Sequence, residues 1–375
     1  MSDSADRTLV PFNIRDLSPY VAGKTIAEVQ REYDPPQISK LASNENRLGC
    51  SSTVEREVVK ALQEIQDYPD PVARQLRKVL ADQNNVEPDN IMVAAGSESV
   101  IAILCRTFFL NNEEAITADA TFVGFFVQAN IRGISLKKIP VTEDYRYDLD
   151  AMAEAITDRT KMIYIANPNN PTGTYITDSE FERFMRKVPN DVLVVMDEAY
   201  FEYAREVSDY PHALDYNYDN VITLRTFSKA YGLAGFRVGY ALASKEIIAN
   251  MLKTKLTFEP TTLAQAAALA ALGDPAFIKK SRKTVEEGKK RLYQFFEEHQ
   301  VAYVPSISNS VLMVLPDEKN AINFTQAMLE EGVILRRTNA FGLPNCVRIT
   351  IGRKKEMDHF EHSFKKVTEK TRMLS

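Results

Sequence analysis

The chain has 375 residues, of which 45% are hydrophobic and 26% are charged, so it is long enough for two buried cores and globular in composition. Its formal net charge of -5 argues against a protein that coats nucleic acid or an anionic membrane surface. Three widely spaced cysteines, no signal-like start and no long apolar run argue against a disulfide framework, secretion and a membrane span, and favour the cytoplasm.

The first 45 residues contain Pro11, Pro19, Pro35 and Pro36, and we predict that they form an arm that packs on a smaller domain. From about residue 90, short apolar strands alternate with helical patterns. The predicted strands cover residues 91–96, 115–118, 162–166, 192–196 and 221–224. Continuous apolar strands separated by helices predict a mainly parallel sheet covered on both faces, with ligands at the carboxyl ends of its strands.

After about residue 244 the pattern becomes that of a smaller α+β domain. Asp274 and Pro275 form a typical helix start, and the periodic run after them reaches about residue 300. Strands are predicted at 311–315, 333–335 and 347–351, and helices at 319–331 and 353–370. The prediction is therefore an α/β fold, with a large domain over 46–260 and a small domain formed by 261–375 together with the arm 1–45.

Lys229 follows the predicted strand 221–224, which places its amine at the carboxyl edge of the sheet. Desolvation and neighbouring cations there can lower the pKa of a lysine and make it a nucleophile that forms a Schiff base. Taken alone, a lysine in this position is more often a solvated surface residue. Its surroundings favour the functional interpretation, because Arg237 lies between Gly235 and Gly239, where a guanidinium can grip a phosphate close to the backbone.

Asp197 and the segment 167–173 (NPNNPTG) also follow predicted buried strands. A carboxylate at a strand end can pair with the protonated nitrogen of a pyridine cofactor, although an isolated aspartate here is more often an ordinary helix cap. Two prolines and a glycine enforce a defined loop, in which Asn170 can present its amide to a phenolic oxygen. The alternative is a turn that binds no ligand.

Gly96 and Ser97 lie between a predicted strand and the helix that begins near Glu98. Free backbone N–H groups and the positive end of the helix suit a phosphate, although many proteins have such a junction for packing alone. The chain has neither a GxGxxG nor a GxxxxGKS sequence, which argues against dinucleotide-binding and P-loop proteins.

Together, and in this order along the chain, GSE, an aromatic residue, NPNNPTG, DEAY, TFSK and an arginine resemble the fold-type I pyridoxal-phosphate-dependent aminotransferases. Within them, the segments 18–24 (SPYVAGK), 40–46 (KLASNEN), 68–70 (YPD) and 342–344 (GLP) are similar to those of histidinol-phosphate aminotransferases. The resemblance implies a PLP-transferase type I fold, the cofactor pyridoxal 5'-phosphate, and transfer of the amino group of histidinol phosphate to 2-oxoglutarate. The products would be imidazole-acetol phosphate and glutamate, in histidine biosynthesis.

The resemblance also implies a role for each matching residue. Lys229 would hold the cofactor as a Schiff base and move the proton, Asp197 would pair with the pyridine nitrogen, and Asn170 and Tyr200 would bond the ring hydroxyl. The other implied cofactor-binding residues are Ser97, Glu98, Phe122 (where many relatives have tyrosine), Thr226, Ser228 and Arg237, with Tyr68 reaching over from the neighbouring subunit of a homodimer. The implied substrate-binding residues are Tyr20, Asn170, Arg336 and Arg348.

Arg47 departs from the family pattern, which usually has proline at this point. The change either loosens the segment that links the arm to the large domain or adds a cation near the mouth of the substrate site. An aromatic aminotransferase and a threonine-phosphate decarboxylase share these motifs and remain alternative enzymes. A pyridoxal-phosphate-binding regulator would require a DNA-binding extension or loss of the lysine, and the chain has neither.

Two further signals have a structural interpretation. His359 and His362 have a spacing on a predicted helix that can bind metal, but no third ligand is evident, so we expect a solvated helix face and no metal. Cys105 belongs to an apolar run and is expected to pack in the core.

Overall fold

The computed structural model describes residues 9–15, 17, 23–216 and 218–371. Its strands are β1 Ser39–Lys40, β2 Ile91–Ala94, β3 Glu114–Ala118, β4 Ser135–Ile139, β5 Thr160–Ala166, β6 Leu193–Asp197, β7 Val221–Thr226, β8 Gly239–Leu242, β9 Ala302–Val304, β10 Ser310–Val314, β11 Val333–Ile334, β12 Arg336–Arg337 and β13 Cys346–Thr350. Its α-helices are α1 Phe12–Arg15, α2 Ile26–Tyr33, α3 Ser52–Ala61, α4 Arg74–Asn84, α5 Ser97–Phe108, α6 Val123–Arg132, α7 Leu149–Glu154, α8 Asp178–Met185, α9 Phe201–Ala204, α10 Lys245–Thr254, α11 Thr262–Leu272, α12 Pro275–Glu298, α13 Glu318–Glu330 and α14 Lys354–Thr371.

The large sheet has the strand order β2-β8-β7-β6-β5-β3-β4. β8 runs antiparallel to both of its neighbours, and the other adjacent pairs are parallel. The predicted α/β fold with a mainly parallel sheet is therefore confirmed. The prediction missed β4 and β8, because β4 (SLKKI) is a half-exposed edge strand without an apolar run and β8 begins at a glycine.

Both faces of this sheet are buried. One face packs on a cluster that includes Leu104 of α5 and Phe125 of α6, and the other on a cluster that includes Phe181 and Phe184 of α8. Double coverage explains why β5, β6 and β7 have nearly continuous apolar sequences. Since these three strands are parallel neighbours, their carboxyl ends bring Asp197 and the segments after Ala166 and Thr226 to one edge.

The second sheet is antiparallel, with the order β12-β13-β10-β9. Its core includes Phe296 of α12, Phe324 of α13 and Phe360 of α14. The amino-terminal segment joins it, because β1 pairs with β11 in parallel register and Leu41 is buried in this core. The predicted strands at 311–315, 333–335 and 347–351 correspond to β10, β11 and β13.

α11 packs mainly on α3, and its residues Ala264 and Ala267 are buried with Val54 and Leu76 beside the large sheet. The predicted boundary between residues 260 and 261 stays a prediction, and this packing favours a boundary after α11, near Gly273. Of the helices in the described ranges, none is long and apolar enough to cross a membrane.

Candidate active site

A cavity of about 380 Å³ opens at the carboxyl edge of β5, β6 and β7. Many of the residues predicted from the sequence line it, namely Ser97, Glu98, Phe122, Asn170, Asp197, Tyr200, Thr226, Ser228, Lys229 and Arg237. The structure thus gathers into one space residues that are up to 140 positions apart in the sequence, from Ser97 to Arg237.

Lys229 projects into this cavity, where its Nζ donates a hydrogen bond to the carbonyl oxygen of Ser43 at 3.3 Å. The amine also lies 5.7 Å from the centroid of the Tyr200 ring. Burial, followed by repulsion from the guanidinium of Arg348, lowers the pKa of Lys229 to about 8, although attraction to Glu45 opposes the shift. A substantial fraction of this amine is therefore neutral and nucleophilic near pH 8.

One end of the cavity is a cradle of hydrogen-bond donors. α5 begins at Ser97, directly after Gly96, whose φ is 92°. A Cβ on Gly96 would lie 2.7 Å from Arg237 Nη2, and a Cβ on Gly239 would lie 2.5 Å from the Ser97 backbone nitrogen. Gly96 favours glycine because of its positive φ, and Gly239 requires glycine because the backbone at the helix terminus comes too close for a Cβ.

Two hydroxyl groups complete this cradle. Thr226 Oγ1 and Ser228 Oγ are hydrogen-bonded at 3.1 Å, and the backbone N–H of Ser228 donates to Thr226 Oγ1 at 3.2 Å. Arg237 Nη1 donates to Ser228 Oγ at 3.4 Å and to the Ala234 carbonyl at 3.1 Å. A guanidinium, two hydroxyls and a helix amino terminus form a site that suits a phosphate dianion.

Asp197, the last residue of β6, is 3% exposed. Its Oδ2 accepts a hydrogen bond from Tyr164 Oη at 2.6 Å, and its Oδ1 accepts one from the Ala199 backbone at 3.2 Å. Burial raises the pKa of Asp197 to about 6, and these two hydrogen bonds oppose the rise. Near neutral pH the carboxyl is a buried, ionised acceptor, which can pair with a cationic ring nitrogen.

Tyr200 and Asn170 face the cavity from either side. Asn44 Nδ2 donates to Tyr200 Oη at 2.7 Å, and Asn44 Oδ1 accepts from Thr350 Oγ1 at 3.0 Å. Asn170 Oδ1 accepts a short hydrogen bond from Arg348 Nη1. Contacts from the small sheet thus fix both side chains.

Arg348 of β13 is buried, and its Nη2 donates to the Ala42 carbonyl at 2.6 Å. Arg336 of β12 is its strand partner. Both guanidinium groups lie near the Phe341 ring, at 5.4 Å for Arg348 and 5.6 Å for Arg336. Arg348 therefore contacts Asn170 with Arg336 beside it, and the substrate-binding role of the two arginines stays a prediction.

Among the described residues, Tyr68, Arg336 and Arg348 are predicted site residues that do not line this cavity. Tyr68 is 80% exposed, and its ring stacks on Phe258 at a centroid distance of 4.3 Å. Tyr20 lies outside the described residues.

Arg47 forms an ion pair with Glu356 of α14, with 2.9 Å between Arg47 Nε and Glu356 Oε1. The departure from proline therefore ties this segment to the small domain rather than loosening it. His359 is held by Ser39 Oγ at 2.9 Å and by the Glu331 carbonyl at 3.0 Å, so its ring is half-buried and structural rather than solvated. Burial raises the pKa of the Cys105 thiol to about 12, as expected of a core residue.

A larger cavity, of about 890 Å³, lies beside α9, α11 and α12. It contains Arg225, which pairs with the buried Glu198 at 2.8 Å and lies 3.4 Å from the Phe201 ring centroid. None of the residues predicted from the sequence to act in the site lines it. The smaller cavity is therefore the candidate active site, because the chemically capable residues meet there.

Sequence reasoning gave no role to several residues of this site, above all Ser43, Asn44, Glu45 and Tyr164. The first three belong to the segment 40–46, whose resemblance to the family was a signal that could have placed them. Tyr164 lies within an apolar strand, and nothing in the sequence distinguishes it from a core aromatic residue.

Residues 36–364 match the family described as Aminotransferase class I and II. The chain is 42% identical over 367 residues to a histidinol-phosphate aminotransferase of Geobacillus sp. (strain WCH70). The aligned region covers 97% of this chain and 100% of that protein. It is also 42% identical over 353 residues to a histidinol-phosphate aminotransferase of Anaeromyxobacter sp. (strain Fw109-5), and this alignment covers 93% of this chain and 96% of that protein. The crystal structure of histidinol-phosphate aminotransferase from Sinorhizobium meliloti in complex with pyridoxal-5'-phosphate superposes with a TM-score of 0.89 at 26% identity, covering 98% of this chain and 99% of that one.

Proposed function

The chain belongs to the aminotransferases of class I and II, and on that premise we propose that it is a pyridoxal-phosphate-dependent transaminase acting on histidinol phosphate and 2-oxoglutarate. The family resemblance inferred from the motifs is thereby confirmed. One observation carries the proposal: a single cavity brings together a lysine whose pKa is lowered to about 8, a cradle of hydrogen-bond donors and a buried carboxylate.

This donor set fits pyridoxal phosphate. The cradle formed by Ser97, Thr226, Ser228 and Arg237 would hold the phosphate, and no carboxylate is within hydrogen-bond distance of Arg237 among the described residues. Asp197 would face the pyridine nitrogen. Asn170 and Tyr200 would bond the ring hydroxyl, and Phe122 would pack on the ring face, where an aromatic ring needs no polar group.

When bound, the cofactor supplies an electron sink that stabilises negative charge at the carbon from which a proton is removed. The protein's residues then hold and move charge. The Asp197 carboxylate would keep the ring nitrogen protonated, and Lys229 would hold the cofactor and would accept and return a proton at its Nζ. Its pKa of about 8 suits both roles, because the amine has to accept and release a proton near neutral pH.

The substrate assignment rests on the relatives and on the paired arginines. The histidinol-phosphate aminotransferases that the chain resembles match it over nearly their full length. Arg348, which contacts Asn170, and its strand partner Arg336 would form a cationic end of the site. That end could receive the phosphate of histidinol phosphate in one half-reaction and a carboxylate of glutamate in the other.

We also propose a cytoplasmic homodimer with shared sites. Tyr68 and Phe258 are exposed and stack on each other. Other large apolar side chains of nearby sequence are also exposed, namely Val59, Leu62, Ile65 and Leu256. Such a surface favours burial against a second subunit. From there Tyr68 would reach the neighbouring site's phosphate. The free thiols of Cys50, Cys105 and Cys346 suit a reducing compartment.

A substrate panel tests the proposal. The purified enzyme, loaded with pyridoxal phosphate, is assayed with 2-oxoglutarate and each of histidinol phosphate, phenylalanine, tyrosine and threonine phosphate. We expect histidinol phosphate to give the highest kcat/KM. A preference for phenylalanine or tyrosine would make the protein an aromatic aminotransferase, and release of carbon dioxide from threonine phosphate would make it a decarboxylase.

A further inference from the structure

Tyr164 is a buried tyrosine directly behind the proposed cofactor site, and it has no assigned role. It lies on β5, two positions before Ala166, and the two side chains therefore point to the same face of the sheet. Ala166 is the register partner of Asp197 on β6. The strand pairing thus brings the phenol of Tyr164 diagonally under the Asp197 carboxylate.

The contact is short and enclosed. Tyr164 Oη lies 2.6 Å from Asp197 Oδ2, and the two residues are 0% and 3% exposed. The ring is held in place by stacking on Phe125, at a centroid distance of 4.2 Å and an interplanar angle of 4°. Burial and the adjacent carboxylate raise the pKa of Tyr164 well above its ordinary value, so the phenol stays protonated and can only donate to Asp197.

If this position served packing alone, phenylalanine would be more favourable than tyrosine. A buried hydroxyl must find a hydrogen-bond partner, whereas phenylalanine fills almost the same volume without that need. Among the described residues, the partner of the Tyr164 hydroxyl is Asp197. Asp197 in turn has two acceptors, of which Oδ1 receives the Ala199 N–H at 3.2 Å and Oδ2 receives the phenol.

We propose that Tyr164 is a positioning residue of the transamination reaction: its hydroxyl fixes the orientation of the Asp197 carboxylate and keeps that carboxylate ionised opposite the pyridine nitrogen. This inference rests on the proposed function, because it assigns Asp197 to that nitrogen. Tyr164 acts through Asp197 and does not itself line the cavity.

The physical reason is that a carboxylate buried without donors prefers its neutral form. A neutral Asp197 would no longer favour a protonated ring nitrogen, and the cofactor would become a weaker electron sink. The titratable groups that influence Asp197 or are influenced by it are Lys229 and Glu198, together with the phenols of Tyr147, Tyr164, Tyr200 and Tyr210. Among these, Tyr164 contributes the largest effect that favours the charged form.

Tyr164→Phe removes the hydroxyl and keeps the ring stacked on Phe125. In the holoenzyme, we expect the acid limb of the kcat/KM profile to move upward by about one pH unit, which is the effect of one charge-assisted hydrogen bond. We expect kcat to fall about tenfold for glutamate and histidinol phosphate alike, with KM within about twofold, because Tyr164 does not touch substrate. The acid transition of the bound cofactor's visible absorbance should move in the same direction.

Tyr147→Phe is the matched control. Tyr147 is also buried. Its hydroxyl bonds Thr121 and Asn169 and accepts the Ala166 backbone N–H at 2.9 Å, and it makes no hydrogen bond to Asp197. Loss of that hydroxyl should reduce thermal stability and leave both acid transitions in place. Replacing Tyr164 by 3-fluorotyrosine keeps the hydroxyl and makes it a stronger donor, so the acid limb should move downward. This variant preserves the core if Tyr164→Phe folds poorly.

The inference is overturned if both Tyr164 variants keep the wild-type pH profile and absorbance transition, even when their melting temperatures fall. Tyr164 would then be a packing residue. Failure of the proposed function looks different, because the wild type itself would not transaminate histidinol phosphate. In that case the direction of the absorbance transition still decides the role of Tyr164, since it requires bound cofactor and no substrate. If the wild type does not bind pyridoxal phosphate at all, both proposals fail together.

Discussion

Replacing Asp197 by asparagine should stabilise the apoprotein while it removes most of the activity. The carboxyl is 3% exposed, and burial raises its pKa from 3.8 to about 6. In the apoprotein no cationic ring nitrogen faces Asp197. Ionisation of this buried carboxyl therefore lowers the free energy of unfolding. Asparagine keeps the size and an acceptor oxygen for Tyr164, and it removes the charge.

The difference between the folded and unfolded pKa of Asp197 sets the size of the expected change in the free energy of unfolding. A shift from 3.8 to about 6 corresponds to roughly 3 kcal/mol, at about 1.4 kcal/mol per pH unit. Because the folded-state pKa is raised, the folded state binds more protons than the unfolded state between these two values. The stability of the wild-type apoprotein therefore falls as the pH rises from about 4 to 6, and the full cost is present above pH 6. Subtracting about 1 kcal/mol for a less favourable hydrogen bond to Ala199 leaves a net gain of about 2 kcal/mol.

The assay is equilibrium unfolding in urea of both apoproteins at pH 4, 5, 6 and 7, followed by circular dichroism. The free energy of unfolding of the Asp197→Asn apoprotein should exceed that of the wild type by about 2 kcal/mol at pH 7 and should fall about 0.5 kcal/mol below it at pH 4. In the holoenzyme the order should reverse, because the wild-type carboxylate then has a cationic partner, and half-reaction rates of the variant should collapse. Equal stability of the two apoproteins at pH 7, or a pH-independent difference, would refute the assignment of a buried, destabilising charge.

Further substitutions probe the rest of the site. Arg348→Ala should lower kcat/KM for both glutamate and histidinol phosphate by about one to two decades, and Arg348→Lys should recover only part of this in steady-state assays; unchanged kinetics with lower thermal stability would make Arg348 a purely structural residue. Gly239→Ala should weaken pyridoxal phosphate binding at least about tenfold in a fluorescence titration, because a Cβ there would displace the Ser97 nitrogen from 2.5 Å away; unaltered affinity would show that the phosphate lies elsewhere. Mixing Lys229→Ala with Tyr68→Phe should restore part of the activity through heterodimers with one intact site, whereas no recovery after subunit exchange proven by mass spectrometry would place Tyr68 outside the neighbouring site.

The sequence predicted part of the polar wall of the cavity because three of its residues lie at or after the ends of buried strands. Lys229, Asp197 and Asn170 come after β7, at the end of β6 and after β5, and the parallel pairing of these strands brings their ends together. The order of the apolar strands and one topological rule were enough to place these three residues at one edge, and the family motifs supplied their expected roles. The roles of these residues remain predictions that the experiments above address.

The contacts between the two sheets could not be predicted in this way. Asn44 bonds Thr350 across 306 positions, and Arg348 bonds Asn170 across 178. No periodic pattern encodes which residue of one sheet meets which residue of the other, because that pairing depends on how two finished domains pack. β4 and β8 were missed for a related reason, since edge exposure and a glycine start remove the apolar signal on which strand prediction depends.

The burial of Lys229 and Asp197 in this cavity lowers the free energy of unfolding of the apoprotein. Lys229 is desolvated and repelled by Arg348, and Asp197 is desolvated with Glu198 beside it, so burial disfavours the charged forms of both side chains. Lys229 and Asp197 do not serve stability in this position, because buried ionisable groups lower the free energy of unfolding unless they are paired. Each becomes favourable when a ligand brings the missing partner, a carbonyl carbon for the amine and a ring cation for the carboxylate. The cofactor should therefore stabilise this fold by more than its contact area suggests, and the difference between apoprotein and holoenzyme stability measures that coupling.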